Sequence, residues 1–437
     1  MYVCRNCGYA AAKWSGKCPN CGEWGTLDES NMPVKKKAGK VLQPVYGADL
    51  VKAATIPESK LEKLSTGFTE IDRILGGGIA RGAVTLVGGD PGIGKSTLLL
   101  QVLAYIASEG HTVAYISGEE SLAQLSSRLK RLLSKIPDTL LMGTDTDLES
   151  VVGSLSRQKL DFVVIDSIHS LTDANTEGTY GGISQLKMVT SSLTQWAKKN
   201  DTGMFLVGQV TKEGYVAGPK NVEHIVDTVM YIERLGDENI RLVRTVKNRF
   251  GEVGEVGFLK MAGKGLEDKT DFSRMLVEES AVSLPGGALG ITLQGSRPIM
   301  VHLQVLTNDT MFAVPRRVVD GISKNKVEVL AAVIAKKLPK LYLDKKDIFI
   351  KANGGISLKD PGIDLAIIGA ILSSVLNVSF ETTVFIGEVG LQGEIKACAG
   401  FDARLKEAKK LGFTNIVTYK TVSHISEILE FLKKKVS

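Results

Sequence analysis

The stretch Ala83-Val-Thr-Leu-Val-Gly-Gly-Asp-Pro-Gly-Ile-Gly-Lys-Ser-Thr97 decides the fold. Its first half is a short apolar run that reads as a buried strand, and Gly89 to Thr97 fits the pattern G-x-x-x-x-G-K-[ST]. From Ser96 to Ser108 the pattern is helical. A strand, a glycine-rich turn and a helix N-terminus in that order let backbone N–H groups close on an anion where the helix dipole favours negative charge. Gly89, Asp90, Pro91, Gly92, Ile93, Gly94, Lys95, Ser96 and Thr97 are therefore expected to cradle the phosphates of ATP. In that cradle Lys95 serves the β- and γ-phosphates and Ser96 serves Mg²⁺.

Three further apolar runs lie on the same side of the chain: Thr112-Val-Ala-Tyr-Ile-Ser, Asp161-Phe-Val-Val-Ile-Asp and Gly203-Met-Phe-Leu-Val-Gly. Near-continuous hydrophobic strands separated by amphipathic helices predict an α/β domain around a mostly parallel sheet. In such sheets ligands gather at the carboxyl ends of the strands, so the polar residues just past each run are the candidates. Asp166 can reach the Mg²⁺ shell. Glu119 and Glu120 follow Ser117, and one of them is expected to polarise the attacking water; Glu119 is the choice. Gln209 is expected to sense the γ-phosphate.

Composition sets the outer bounds. The chain has 437 residues, 43% hydrophobic and 23% charged, which suits several globular cores and excludes a disordered or collagenous chain. A formal charge of +6 permits contact with a polyanion without demanding it. The apolar stretch Leu365 to Phe380 has 16 residues and falls short of a membrane span, which needs roughly 20. With no basic-then-apolar leader after Met1, a cytoplasmic protein without membrane contact is expected.

Four of the five cysteines fall in the first 21 residues, as Cys4-Arg-Asn-Cys7 and Cys18-Pro-Asn-Cys21. Two C-x-x-C pairs, each followed by glycine, can present four thiolates tetrahedrally to one metal ion. Zinc is expected, with iron in the same geometry as the rival. Trp14 and Trp24 either pad this module or stack on a nucleic-acid base. The organisation expected is a four-cysteine zinc module over residues 1–27, a Pro- and Lys-bearing linker over 28–60, the α/β domain over 61–270 and a second α/β domain over 280–437. The charged, Gly-bearing residues Met261 to Glu279 read as the junction between the last two. In the second domain, strands are expected at Pro298 to Leu306 and Asp347 to Ala352, and helices at Lys326 to Leu338 and Asp364 to Leu376. The five histidines form no metal-ligand spacing, and Cys398 reads as a buried small residue.

Leu64-Ser-Thr-Gly-Phe-Thr-Glu-Ile-Asp72, Leu75-Gly-Gly-Gly-Ile79 and the P-loop resemble the RecA and DnaB class of motor ATPases, whose catalytic glutamate falls at Glu119 here. Lys247-Asn-Arg-Phe-Gly251 together with the four-cysteine head resembles the bacterial RadA (Sms) DNA repair and recombination family along essentially the whole chain. That resemblance implies a DNA-dependent ATP hydrolase assembled as a hexameric ring. It implies that Lys247 and Arg249 reach a neighbouring subunit's ATP as a finger in trans. It also implies single-stranded and branched DNA and a RecA-type recombinase as partners, in the cytoplasm at the nucleoid. RecA-like motors use loops at the positions of Thr172 to Ser184 and Thr211 to Asn221, so Tyr180, Lys212 and Lys220 are expected to touch single-stranded DNA.

Lys359-Asp-Pro-Gly-Ile-Asp-Leu-Ala366 and Gly387 to Ala408 resemble the proteolytic domain of Lon. The Ser position of that family falls at Ile363 or Asp364 and its Lys position at Asp402, so a Lon-like fold without peptidase chemistry is implied. Its expected basic face includes Arg316, Arg317, Lys345 and Lys346. The leading expectation is a Mg²⁺- and ATP-dependent DNA motor or helicase that promotes branch migration or D-loop extension. A Lon-like protease and a KaiC-like signalling ATPase are the alternatives.

Overall fold

The computed structural model describes residues 2–4, 10–11, 14–19, 23–29, 62–176, 179, 181–209, 220–235, 239–274, 284–353, 358–380 and 383–431. Two compact units divide at Ser59 and Lys60.

In the first unit Tyr2–Cys4 pairs antiparallel with Ala10–Ala11 and with Leu27–Glu29, giving a three-stranded sheet. This pairing runs two residues past the expected end of the cysteine module. Cys18 is buried, and its N–H donates to Glu23 O at 2.9 Å while Gly25 N donates to Gly16 O at 2.9 Å. Trp14 and Trp24 are 60% and 73% exposed, with one edge of each ring close to Gly16. Cys7 and Cys21 lie outside the described residues, and only the backbone of Cys4 is described.

The second unit is built on two sheets. The strands of the first are β1 (Val84–Gly89), β2 (Val113–Ser117), β3 (Leu140–Thr144), β4 (Phe162–Asp166), β5 (Gly203–Val207), β6 (Thr228–Arg234), β7 (Ile240–Asn248), β8 (Val256–Ala262) and β9 (Gly265–Asp268). Their order is β9-β8-β7-β6-β1-β5-β4-β2-β3. The six strands from β6 to β3 run parallel, and β7, β8 and β9 extend the sheet antiparallel. Alternate residues of one strand serve two cores. Tyr115, Phe162, Val164, Phe205 and Val207 pack with helix α1 (Lys95–Ser108), while Ala114, Val163, Ile165, Met204 and Leu206 pack with α2 (Ile183–Lys199). Coverage of both faces is why these strands lack polar alternation.

The second sheet holds β10 (Gly287–Gln294), β11 (Arg297–Asp309), β12 (Arg317–Asp320), β13 (Lys346–Ala352), β14 (Thr383–Ile386) and β15 (Asn415–Thr418) in the order β12-β13-β11-β10-β14-β15. Helix α3 (Lys324–Lys337) and the almost wholly apolar α4 (Asp364–Leu376) cover one face. Helix α5 (Phe401–Lys410) covers part of the other. Among the described residues no helix is long and apolar enough to cross a membrane.

Within the expected junction, Met261 and Ala262 end β8 and Gly265–Asp268 is β9, so the first sheet runs on as far as Asp268. Phe258 and Phe272 stack at 4.1 Å within the same core as α4. Arg297 lies over the Phe258 ring at 4.9 Å and also pairs with the buried Glu70. Glycine and charge signal a chain turning at a surface; they do not reveal whether the next element packs on the last.

At the positions that match the Lon dyad the described residues hold no nucleophile. Ile363 is fully buried, Asp364 accepts from Lys326 Nζ at 2.5 Å, and Asp402 is exposed in the first turn of α5. Two residues on, the fully buried Arg404 pairs with Asp360 at 2.6 Å and donates to Ala399 O at 2.9 Å.

Candidate nucleotide site

The carboxyl ends of β1, β2, β4 and β5 form one edge, and every polar residue expected from the four apolar runs lies along it. Gly94, at φ 113°, is the N-cap of α1 and has Met261 Cε 2.8 Å from where a Cβ would stand, so only glycine fits both the backbone and the space. Asp90, Pro91 and Gly92 are exposed at the turn, and Ile93 is buried beneath it. Lys95 is buried, with Nζ donating to Gly89 O at 2.6 Å and Asp90 O at 3.0 Å. Burial lowers its pKa, against the raising influence of Asp166, Asp90 and Glu119. An ammonium held by loop carbonyls rather than by a carboxylate can be handed to an incoming phosphate.

Ser96 Oγ donates to Asp166 Oδ2 at 2.6 Å. A hydroxyl and a carboxylate in contact at a phosphate cradle form a hard oxygen donor set, which fits Mg²⁺. Beside them, Glu119 Oε1 accepts from Ser167 Oγ at 2.5 Å and from Gln209 Nε2 at 3.1 Å. Glu120 is occupied elsewhere, paired with Arg128 of the following helix. Of the two adjacent glutamates, Glu119 is thus the one facing Asp166 and Gln209. It is held there by neutral donors.

Lys247 and Arg249 lie at the other end of the sheet. β7 runs antiparallel to β6, which sets Asn248 opposite Thr228, whereas Gly89 lies opposite Ile232. Four residues of strand, about 13 Å, therefore separate the two edges. Lys247 Nζ donates to Glu223 O and Val226 O at 2.8 and 2.7 Å, and burial lowers its pKa. Arg249 donates to the buried Asp227 at 3.0 Å, with the rest of its side chain half exposed. Asn248 fixes the turn between them, accepting from Phe250 N at 2.9 Å and donating to Ile74 O at 3.1 Å.

The loops expected to meet DNA begin at the nucleotide edge, after β4 and β5. The first is tied down by the buried Gln185, which accepts from Asp173 N at 2.9 Å and donates to Thr176 O at 2.6 Å. Tyr180 and Lys212 lie outside the described residues, and Lys220 is described only as backbone opening the short helix Lys220–Glu223. Of the expected basic face in the second sheet, Arg316 pairs with Asp347 at 2.8 Å and Lys346 with Asp309 at 2.7 Å. Arg316 also lies over the half-exposed Phe312 at 4.5 Å, and Lys345 over Tyr342 at 5.8 Å.

Two residues that sequence reasoning passed over support this edge. Arg241, buried in β7, donates from Nε to Ile93 O at 2.9 Å and so braces the P-loop from the antiparallel half of the sheet. Its signal was a charge inside a strand whose neighbours are apolar. Tyr115, within the apolar run of β2, donates to Asp166 Oδ2 at 2.5 Å. Nothing local marks it, because tyrosine is at home in any strand.

A family model described as an AAA domain matches residues 52–215, and one described as a rubredoxin metal binding domain matches residues 2–29. Among solved structures, the RadB recombinase matches 47% of this chain and 99% of its own, at 25% identity and a TM-score of 0.39. A DnaB-like replicative helicase matches 48% and 63%, at 15% identity and a TM-score of 0.43. The DNA repair protein RadA of Listeria monocytogenes is 41% identical over 95% of this chain and 91% of its own length. The RadA protein of Aquifex aeolicus is 39% identical over 99% and 98%. Identity of that order, sustained from the cysteine module to the far end of the second sheet, makes the chain a member of the DNA repair protein RadA family.

Proposed function

We propose that this chain is a Mg²⁺- and ATP-dependent DNA motor of recombinational repair. It binds single-stranded DNA, acts beside a RecA-type recombinase, and drives branch migration or D-loop extension from a ring of six subunits. The observation that carries the reading is the separation of Lys247 and Arg249 from Lys95 and Glu119 by the length of one strand. Residues so far apart cannot serve one γ-phosphate within a subunit, so a site that uses both must be shared by two copies in head-to-tail contact, which closes as a ring or extends as a filament; the ring is the form proposed.

In this reading the P-loop amides and Lys95 hold the phosphates, and Ser96 and Asp166 hold the cation. Mg²⁺, when bound by these residues, would offset the charge of the phosphate oxygens. Glu119 takes the proton of the attacking water, with Gln209 and Ser167 fixing its orientation. Arg249 and Lys247 of the adjoining copy meet the charge developing on the transferred phosphoryl group. Gln209 starts one of the loops expected to carry DNA, so contact with the strand and orientation of the base are linked through one side chain. Tyr180, Lys212 and Lys220 supply stacking and phosphate charge there. Cys4, Cys7, Cys18 and Cys21 hold Zn²⁺ in the first unit, and the rubredoxin-type match over residues 2–29 supports an S₄ site. The second sheet acts in assembly and not in peptide cleavage, as the Ile363, Asp364 and Asp402 side chains imply.

The test is complementation. Lys95→Ala and Arg249→Ala subunits, each inactive alone in DNA-stimulated ATP hydrolysis and in unwinding a forked substrate, regain hydrolysis when mixed. Each seam that joins an intact P-loop to an intact Arg249 works. Mixtures as inactive as either variant overturn the shared site.

A further inference from the structure

Asp166 is held from two sides. The register of β2 and β4 sets Ser117 opposite Asp166 and Tyr115 opposite Val164, so Tyr115 lies one two-residue step back on the same face of the sheet. That step is about 7 Å, and the phenol ring spans it, bringing the hydroxyl to Asp166 Oδ2 at 2.5 Å. Ser96 Oγ reaches the same oxygen at 2.6 Å. Among the described residues these are the donors to that carboxylate, and both meet Oδ2.

Tyr115 is fully buried, in a core otherwise formed by aliphatic residues, methionine and phenylalanine. Phenylalanine would fill the same space. Carrying a hydroxyl into such a core costs free energy unless the group is bonded, and its bond here is to Asp166. A phenol carries its proton at neutral pH, so toward the carboxylate the hydroxyl acts as the donor. With Ser96 alone, the carboxylate could rotate about its Cβ–Cγ bond. With a second donor on the same oxygen it cannot, and Oδ1 is turned away from both.

We propose that Tyr115 is a positioning residue for the divalent cation: its hydroxyl pins Asp166 so that the carboxylate meets the metal in one orientation. The inference rests on reading this edge as a Mg²⁺–nucleotide site. Partners that orient metal-binding groups are typically worth about 10- to 100-fold in metal affinity. Mg²⁺ demands near-octahedral geometry, whereas Ca²⁺ accepts irregular shells. Loss of the Tyr115 hydroxyl therefore weakens Mg²⁺ more than Ca²⁺, and a residue that only fills the core would not discriminate between them.

The experiment measures ADP binding to the full chain by calorimetry, first in EDTA and then across titrations of Mg²⁺ and of Ca²⁺. It compares the parent with Tyr115→Phe and with Tyr115→Met, which also lacks the hydroxyl but packs differently; thermal melting confirms that each is folded. Both variants are expected to bind ADP in EDTA as the parent does, to need about 10-fold more Mg²⁺ for the same gain in affinity, and to shift less with Ca²⁺. The inference is overturned by a Tyr115→Phe titration that superimposes on the parent's, by equal shifts with both cations, or by a shift confined to Tyr115→Met. A parent whose ADP binding ignores Mg²⁺ altogether would instead remove the site reading, and this inference with it.

Discussion

Both sheets of the second unit present acids at their edges, but the acids are held in different ways. On the first sheet Asp166 accepts from Ser96 and Tyr115, and Glu119 accepts from Ser167 and Gln209, all of them neutral donors. In the second sheet Asp360 is matched by Arg404, Asp364 by Lys326 and Asp347 by Arg316. A carboxylate oriented by hydroxyls and amides keeps its charge for a cation or a proton. One paired with a buried guanidinium or ammonium has spent it on the fold. The same residue type thus serves chemistry at the nucleotide edge and cohesion elsewhere, at Asp227 and Glu70 as well as in the second sheet, and the difference lies in the partner rather than in the acid.

The comparison can be broken most sharply at Glu119. Glu119→Gln keeps the hydrogen-bonding shape and removes the base. Steady-state ATP hydrolysis in the presence of single-stranded DNA should fall by about 10² to 10⁴ in kcat with little change in KM. A loss below about tenfold would place the base elsewhere. The complementary substitution is Arg404→Met in the second sheet. Removing one member of a buried pair leaves Asp360 uncompensated and should cost about 3–5 kcal/mol in urea denaturation, while hydrolysis per folded molecule stays unchanged. If Arg404→Met is as stable as the parent, the pair is not structural and the contrast fails.

The smallest effect is expected at His302, fully buried on β11 with no hydrogen-bond partner for Nε2 among the described residues. Burial holds its imidazole below the ordinary value of 6.5. The unfolded chain therefore takes up the proton first as pH falls. Stability from this group is complete above pH 6.5 and is lost as pH drops through the folded value. His302→Leu should flatten the fall of Tm between pH 6.5 and 5. An unchanged acid slope would show that other groups carry it.

Much of this was legible without coordinates. The P-loop helix and the four parallel strands follow from short-range pattern: apolar runs, a glycine-rich turn, then helical spacing. Helix Asp364–Leu376 matches its expected bounds. Such features depend on residues within a turn or two of one another, which is what a sequence displays.

Other decisions depend on which strand lies beside which. That Glu119 rather than Glu120 is bonded to Ser167 and Gln209 goes with Arg128 pairing with Glu120, eight residues away along the chain. That Tyr115 reaches Asp166 follows from the pairing of β2 with β4 across 51 residues. That Lys247 and Arg249 stand a strand's length from Lys95 follows from the antiparallel turn of β7 on β6. The order of residues alone placed the P-loop strand and helix and marked the segments proposed for phosphate and thiolate chemistry. Only the tertiary structure decided which acids are paired and which edge each cation occupies, because hydrogen bonds and ion pairs act over a few ångströms of space whatever the distance along the chain.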